Sequence, residues 1–338
     1  MKILVTGAAG MLGSSLVPAL VGAGHTVVAT DIDLSALHPW GPSGPQLRHL
    51  DVRDRTDVRA GVRDGRPDLV VHLAAETSLE FSDAEPEHAW LTNTVATRYV
   101  ALEARRAGIP MVYISTAGVF DGLKDEPYTE FDTPHPLNMY GRSKYEGEVV
   151  VRELVEEHYV IRAGWMVGGG AAKDHKFVAK ILAQLRAGAL TIYAVTDKLG
   201  TPTYTPDFAR CFLGLLDSDL YGLYHMVCGG EGSRFDVAAR ILEVLGRDDV
   251  ELVPVTSDHF AAEFPSIRPR SEIMRNLLLD LQGMNTMRPW REALADYLHV
   301  EFPGMFAAEP AQRGAVASPV PGPRPAPLPT TGSLQELS

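Results

Sequence analysis

The chain has 338 residues, 45% of them hydrophobic, and 43 acidic against 31 basic residues give it a formal net charge of -12. This length and apolar content allow a large buried core, whereas the acidic charge disfavours binding to nucleic acid and to membrane surfaces. The sequence contains neither a membrane-length apolar run nor a signal-peptide pattern, so the expected location is the cytoplasm. Cys211 and Cys228 lie among apolar residues and are expected to be reduced core thiols, and the scattered histidines predict no metal site.

The first elements along the chain predict a βαβ unit. A β-branched run at residues 3–6 precedes a glycine-rich segment, and a helical stretch then ends near Gly22 and Gly24. A second apolar run at residues 26–29 stops at Asp31. Strand, turn, helix and strand therefore follow one another.

The alternation of strands and helices continues as far as Trp165. Further strands are predicted at 68–75, 110–116 and 159–165, and helices at 92–108 and 140–158. Apolar strands that alternate with helices are typical of a parallel sheet covered on both faces. The predicted fold class is α/β, with a Rossmann-type doubly wound parallel sheet.

Beyond Trp165 the pattern loosens into a smaller C-terminal α/β substrate lobe. Helices are predicted at 176–188, 205–216, 233–246 and 288–302. The expected organisation is an NAD(P)-binding Rossmann domain at 1–165, with returning elements near 190–228, and a substrate-binding lobe at 166–306. Residues 307–338 are rich in Pro and Ala and are expected to be a disordered tail.

Three glycines follow the first strand. Gly7, Gly10 and Gly13 stand between that strand and the first helix, where glycine permits a tight turn and close approach of the backbone to a phosphate. The helix N-terminus then offers free N–H groups to a pyrophosphate. Asp31, which ends the second strand, is placed to bind ribose hydroxyls and to repel a 2′-phosphate, so NAD(H) is preferred to NADP(H).

The segment "MYGRSKYEG" places Tyr140 and Lys144 one turn apart on a predicted helix. Alone, this spacing is more typical of two half-exposed side chains on the surface of an ordinary helix. In a dinucleotide-binding domain, however, the phenol can exchange a proton with a substrate oxygen, and a nearby ammonium is expected to lower the pKa of Tyr140. Lys144 can also hold ribose hydroxyls of the cofactor.

These motifs, with Ser115-Thr116 at a strand end, resemble the extended short-chain dehydrogenase/reductase superfamily over roughly residues 1–302. The resemblance implies a catalytic set of Thr116, Tyr140 and Lys144, and a structural role for Asn93. The cofactor-binding residues that it implies are Gly7, Gly10, Met11, Leu12, Gly13, Asp31, Asp51, Val52, Leu73, Ala74, Ala75, Tyr140 and Lys144.

Several segments are most similar to the dTDP-4-dehydrorhamnose reductase branch, among them "STAGVFDG", "VIRAGWMVGGG" and "DKLGTPTYTPDFA". This resemblance implies reduction of the 4-keto group of a dTDP-hexose and a homodimer paired through helices 92–108 and 140–158. The substrate-binding residues predicted on the same basis are Thr77, Thr116, Trp165, Lys176 and Arg268. Lys173 and Arg270 are further candidates for binding the substrate phosphates. For all four cations solvated surface positions remain an equal alternative, and Trp165 could be a core residue.

The sequence departs from this branch directly after Thr116. Ala117 and Gly118 stand where the branch has Asp and Tyr, and where nucleotide-sugar dehydratases need an Asp-Glu pair. Dehydration is therefore disfavoured. Two alternatives to a ketoreductase remain: a nucleotide-sugar epimerase with tightly bound NAD, and a regulatory homologue that kept the fold without the chemistry.

Overall fold

The computed structural model describes residues 1–36 and 44–306. In these residues the strands are β1 (Lys2–Thr6), β2 (Thr26–Asp31), β3 (Gln46–His49), β4 (Leu69–His72), β5 (Met111–Thr116), β6 (His158–Ala163), β7 (Trp165–Val167), β8 (Thr191–Val195), β9 (Leu199–Gly200), β10 (Pro202–Tyr204), β11 (Gly222–His225), β12 (Gly232–Ser233), β13 (Glu251–Val255) and β14 (Ser271–Glu272). The helices are α1 (Gly13–Gly22), α2 (Arg55–Gly65), α3 (Leu79–Ala84), α4 (Pro86–Trp90), α5 (Ala96–Ala107), α6 (Met139–Leu154), α7 (Gly170–Lys173), α8 (Phe177–Arg186), α9 (Thr205–Leu216), α10 (Arg234–Leu245), α11 (Leu277–Leu281) and α12 (Trp290–Glu301).

The main sheet is parallel and has the order β11-β6-β5-β4-β1-β2-β3. Its strand order reverses between β1 and β4, where the chain runs outward in one direction through β2 and β3 and in the other through β5, β6 and β11. Such a reversal opens a crevice at the carboxyl ends of the strands, which is where ligands bind in this architecture. The predicted α/β fold class with a Rossmann-type sheet is confirmed.

Alternate residues of the strands pack into two separate cores, one on each face of the sheet. Ile3 and Val5 belong to one cluster with α1 and α9, whereas Leu4 belongs to the other with α2, α5 and α6. This division follows from the two-residue period of a strand, which points successive side chains to opposite faces. The sheet is therefore buried on both sides, as its apolar strands predicted.

The second half of the chain adds short sheets beside the main one. β7 pairs with β10, β8 with β13, and β9 with both β12 and β14. Residues 1–306 form one compact unit, and the division into a cofactor domain at 1–165 and a substrate lobe at 166–306 stays a prediction. The tail predicted at 307–338 lies outside the described residues.

Some predicted boundaries were wrong by a few residues. The helix predicted at 140–158 ends at Leu154, because Val155 adopts an extended conformation and the following residues lead into β6. The strand predicted at 159–165 is interrupted at Gly164, where a Cβ atom would lie 2.3 Å from the carbonyl oxygen of Thr201. The strand predicted at 68–75 ends at His72.

Cys211 and Cys228 are free and buried, as expected. Within the ranges that the structure describes, no helix is long and apolar enough to cross a membrane. The homodimer and the cytoplasmic location stay predictions.

Candidate active site

The three glycines of the loop between β1 and α1 play different steric roles. A Cβ atom on Gly7, where φ is +68°, would lie 2.5 Å from the backbone nitrogen of Ala74, and one on Gly13 would lie 2.2 Å from the carbonyl oxygen of Ala8. A Cβ on Gly10 would meet only the Gly7 carbonyl oxygen, at 3.3 Å. Gly7 and Gly13 therefore allow close packing, while exposed Gly10 leaves the outer side of the loop open, as an approaching pyrophosphate requires.

Asp31 ends β2 beside this loop. Its Oδ2 accepts a hydrogen bond from the backbone N–H of Ala9 (2.9 Å), and its Oδ1 accepts one from that of Asp33 (3.2 Å). The carboxylate thus both fixes the loop and remains half-buried at the carboxyl end of the strand. This is the position from which it can bind the ribose hydroxyls of a dinucleotide.

The other predicted cofactor residues follow the carboxyl ends of β1, β3 and β4. Asp51 pairs with Arg53 (2.7 Å), and both line a shallow depression with Leu91. The Arg53 guanidinium holds the pKa of Asp51 below its usual range. The side chains of Leu12 and Val52 are buried in the two cores, so only their backbones can face a ligand, whereas four residues are half-buried: Met11, Leu73, Ala74 and Ala75.

Helix α6 is brought close to β5 by small residues. A Cβ on Gly141 would lie 2.3 Å from the Gly118 carbonyl oxygen, and one on Gly147 would lie 2.2 Å from the Tyr113 hydroxyl. Asn138 caps the helix by accepting from the N–H of Gly141 (2.8 Å), and its amide donates to the Ile267 carbonyl (2.8 Å). The start of α6 is therefore fixed against the end of β5.

This packing brings Tyr140 and Thr116 together at the carboxyl edge of the sheet. The hydroxyl of Thr116 accepts from the N–H of Gly118 (3.1 Å) and lies close enough to the Tyr140 phenol for hydrogen bonding. Burial raises the pKa of Tyr140 to about 12, the hydrogen bond with Thr116 acts in the opposite direction, and the carboxylates of Glu272 and Glu76 raise it further. The expected lowering of the Tyr140 pKa was therefore wrong for this structure: the phenol holds its proton at neutral pH.

Lys144 lies on the same helix, with 3% of its surface exposed. Its Nζ is 4.1 Å from the centre of the Tyr113 ring. Burial lowers the pKa of Lys144 to about 7, although the carboxylate of Glu148 favours the charged form. The ammonium is thus poised to lose or gain a proton near neutral pH, which a surface lysine is not.

Asn93 lies in a π-helical turn, Leu91–Val95, between α4 and α5. Its Oδ1 accepts from the N–H of Glu76 (2.9 Å), and its amide donates to the Glu76 carbonyl (3.0 Å) and to the Ser143 hydroxyl (2.9 Å). Asn93 thereby connects the segment after β4 to the turn of α6 that carries Lys144. These contacts fit the structural role expected for this residue.

A buried ion pair lies between helix α6 and the main sheet. Glu148, fully buried, accepts two hydrogen bonds from Arg162 of β6 (2.9 and 2.7 Å) and one from the Ser115 hydroxyl (2.5 Å). Arg162 is 1% exposed. The pair therefore holds α6 on β5 and β6, and no signal in the sequence identified Glu148 as the partner.

Trp165 forms the opposite wall of the crevice, half-buried rather than in the core. Its Nε1 donates to Glu272 Oε2 (2.7 Å), and the guanidinium of Arg234 stacks on its ring at 3.5 Å. Burial lowers the pKa of Arg234 to about 10, while Glu272 acts against that shift. Sequence reasoning missed both Glu272 and Arg234.

The remaining predicted substrate residues lie toward the rim. Lys176 is exposed, and its ammonium faces the carboxylates of Asp174 and Glu272. Arg268 pairs with Glu80 and donates to the Ser266 carbonyl (3.0 Å). Exposed Thr77 makes no side-chain contact to other described residues that would place it in the crevice. The structure thus brings Thr116, Tyr140 and Trp165 to the same edge of the sheet, and the substrate role of Thr77 stays a prediction.

The chain is similar to several known proteins. Residues 1–301 match the model of the RmlD substrate binding domain. The chain is 35% identical over 295 residues to a dTDP-4-keto-6-deoxy-D-glucose reductase of Streptomyces niveus, which covers 86% of this chain and 94% of that protein.

Two solved structures are also similar. One is a dTDP-4-dehydrorhamnose reductase from Clostridium acetobutylicum, with a TM-score of 0.79, 33% identity and coverage of 88% of this chain and 98% of that one. The other is a dTDP-4-dehydrorhamnose reductase from Bacillus anthracis in complex with NADP, with a TM-score of 0.77, 31% identity and the same coverage.

Proposed function

The chain belongs to the family of the RmlD substrate binding domain, within the extended short-chain dehydrogenase/reductase superfamily, and from this premise we propose that it reduces the 4-keto group of a dTDP-activated 6-deoxyhexose with a nicotinamide dinucleotide. The observation that supports the proposal is the approach of the Thr116 hydroxyl to the Tyr140 phenol at the carboxyl edge of the sheet, with buried Lys144 one turn further along α6. The names of the relatives supply the substrate class.

The proposed mechanism assigns one task to each side chain. A nicotinamide dinucleotide, which the glycine loop at 7–13 and Asp31 would hold, would supply the hydride for the carbonyl carbon. The Thr116 hydroxyl donates a hydrogen bond to the carbonyl oxygen and orients it. Tyr140, protonated because its pKa is raised to about 12, donates its phenolic proton to that oxygen. Lys144, on the next turn of α6, stabilises the phenolate that remains and binds the ribose hydroxyls.

The first test is the variant Tyr140→Phe. We expect kcat for NADH oxidation with a dTDP-4-keto-6-deoxyhexose to fall by about 10²–10⁴, because the proton donor is lost, while the NADH dissociation constant is unchanged. Tyr145→Phe is the matched control, since this neighbour on α6 packs instead against the cluster of Ala117, Val119 and Phe120. Turnover by Tyr140→Phe equal to that of the wild type would contradict the assignment.

The same assay separates the alternatives. Release of inverted sugar without consumption of external NADH, by protein purified with bound NAD, would indicate an epimerase. Binding of the nucleotide sugar without any turnover would indicate the regulatory homologue. Net oxidation of NADH supports the reductase.

We further propose that NAD(H) is preferred to NADP(H), because the Asp31 carboxylate stands at the end of β2 and repels a 2′-phosphate. We expect Asp31→Asn, which keeps the shape and an acceptor for the Ala9 N–H, to shift the ratio of NADPH to NADH affinity by about tenfold or more, since two charges at 4 Å interact by about 1–4 kcal/mol. Asp33→Asn is the control on the following turn. Tighter binding of NADPH than NADH by the wild-type protein would show the preference to be wrong.

A further inference from the structure

A carboxylate faces the catalytic residues from the opposite wall of the crevice. Gly118 follows Thr116 and lacks a side chain, and a Cβ atom built on it would lie 3.4 Å from Thr116 Oγ1 and 3.7 Å from Glu272 Oε1. The two oxygens are therefore no more than about 7 Å apart. Glu272 also raises the pKa of Tyr140 through its charge, so the carboxylate lies within electrostatic range of the phenol.

Glu272 is held in place by one of its two oxygens. Its Oε2 accepts from the Trp165 indole N–H (2.7 Å), and its backbone lies in β14, which pairs with β9. The indole in turn lies against Gly200 of β9, where a Cβ would be 2.3 Å from the ring. The second oxygen, Oε1, accepts no hydrogen bond from the part of the chain that the structure describes, and it points toward the space above Gly118.

The charge of Glu272 is already balanced by protein cations. Arg234 stacks on the Trp165 ring, 3.5 Å from its centre, and the ammonium of Lys176 faces the same carboxylate. A ligand cation is therefore not needed for charge balance at this point. A neutral hydrogen-bond donor fits Oε1 best, because a carboxylate oxygen only accepts.

We propose that Glu272 is a specificity-determining residue that accepts a hydrogen bond from the hydroxyl on the ring carbon next to the substrate ketone. This inference rests on the proposed function. With the ketone oxygen bound to Thr116 and Tyr140, the separation of at most about 7 Å between Thr116 Oγ1 and Glu272 Oε1 is within the reach of two hydrogen bonds of about 2.7 Å each and one pair of neighbouring sugar oxygens. In a 4-keto-6-deoxyhexose, the neighbouring carbon that bears a hydroxyl is C3.

The proposal also accounts for Ala117-Gly118. The resemblance implies an Asp and a Tyr at these positions, where this chain has an alanine and a glycine. Because Gly118 has no side chain, Glu272 of β14 approaches to 3.7 Å from the point where a Cβ on Gly118 would lie. The polar group is thus supplied from the other wall, and it contacts a different part of the sugar.

The test compares a dTDP-4-keto-6-deoxyhexose with its 3-deoxy analogue. A hydrogen bond to a charged group contributes about 1.5–3 kcal/mol, so we expect Glu272→Ala to lower kcat/KM for the hydroxylated ketone by about 10–100-fold and to leave the 3-deoxy ketone nearly unchanged. For Glu272→Gln, which keeps the shape and one acceptor oxygen, kcat/KM for the hydroxylated ketone should lie between the values of the wild type and of Glu272→Ala. Glu251→Gln, an exposed change on β13, should alter neither substrate.

Calorimetric binding of the two corresponding reduced dTDP-hexoses separates this inference from the proposed function, since it needs no turnover. If no ketone is reduced but Glu272→Ala still weakens only the 3-hydroxy sugar, the specificity role stands and the reductase assignment fails. Equal loss for both sugars, in turnover and in binding, would show Glu272 to be merely structural and would overturn the proposal. An unchanged preference for the 3-hydroxy sugar in both Glu272 variants would also overturn the proposal.

Discussion

At the scale of single residues, the candidate site keeps a buried amine that is costly for stability. Lys144 is 3% exposed, and burial lowers its pKa to about 7. A folded-state pKa below the unfolded value of about 10.4 means that the folded protein disfavours the charged form. The cost is fully present below about pH 7 and declines as pH rises toward the unfolded pKa.

We therefore expect Lys144→Met to be more stable than the wild type and nearly inactive. Its free energy of unfolding should exceed the wild-type value by a few kcal/mol below about pH 7, and the difference should narrow by about 1.4 kcal/mol per pH unit above it. Urea denaturation from about pH 6 to about pH 9 measures this. Lys180→Met, at an exposed lysine of α8, should show no such trend. A Lys144→Met protein less stable than wild type at every pH would contradict the argument.

At the scale of elements, the sequence predicted the strands and helices whose pattern lies within one continuous segment of the chain. The strands β1, β5 and β6 could be read from short apolar runs and the bounds of α9 from its helical pattern, since each depends on one local segment. α2 escaped detection because it is rich in charged residues, and only the Asp54 side chain, which accepts from the N–H groups of Thr56 and Asp57, marks its start.

The same distinction applies to the site. Tyr140 and Lys144 lie one turn apart in one helix, and Gly7, Gly10 and Gly13 lie in one loop, so spacing alone predicted them. Glu272 reaches Trp165 across 107 residues of sequence. No local pattern encodes that contact, because it arises only when β14 is placed beside β9. The polar wall of the crevice could not be predicted for this reason.

At the scale of the whole molecule, the parallel sheet contains two neutral histidines. His72 of β4 is hydrogen-bonded to the hydroxyls of Thr6 (2.7 Å) and Thr97 (3.1 Å) and is 1% exposed. His225 of β11 is fully buried beside Arg162. Burial lowers the pKa of both to about 3, helped at His72 by Lys144 and at His225 by Arg162.

These shifts predict a loss of stability in mild acid. Because the unfolded histidines protonate near pH 6.5 and the folded ones only near pH 3, the unfolded chain binds more protons between these values. Glu130 and Asp174, whose pKa values burial raises, act in the opposite direction.

For each histidine, the free energy of unfolding should fall by about 2 kcal/mol as the pH is lowered from about 6.5 to about 5. The variant His72→Gln isolates one of them, since the amide can still bond both threonines and does not titrate. We expect its unfolding free energy, from urea denaturation, to fall less steeply with acid than that of the wild type, so that any deficit at pH 7 shrinks by about 2 kcal/mol at pH 5. His25→Gln, at a half-buried position directly before β2, should retain the wild-type slope. Identical slopes in all three proteins would mean that His72 already carries a proton inside the sheet, and the neutral-core argument would then be wrong.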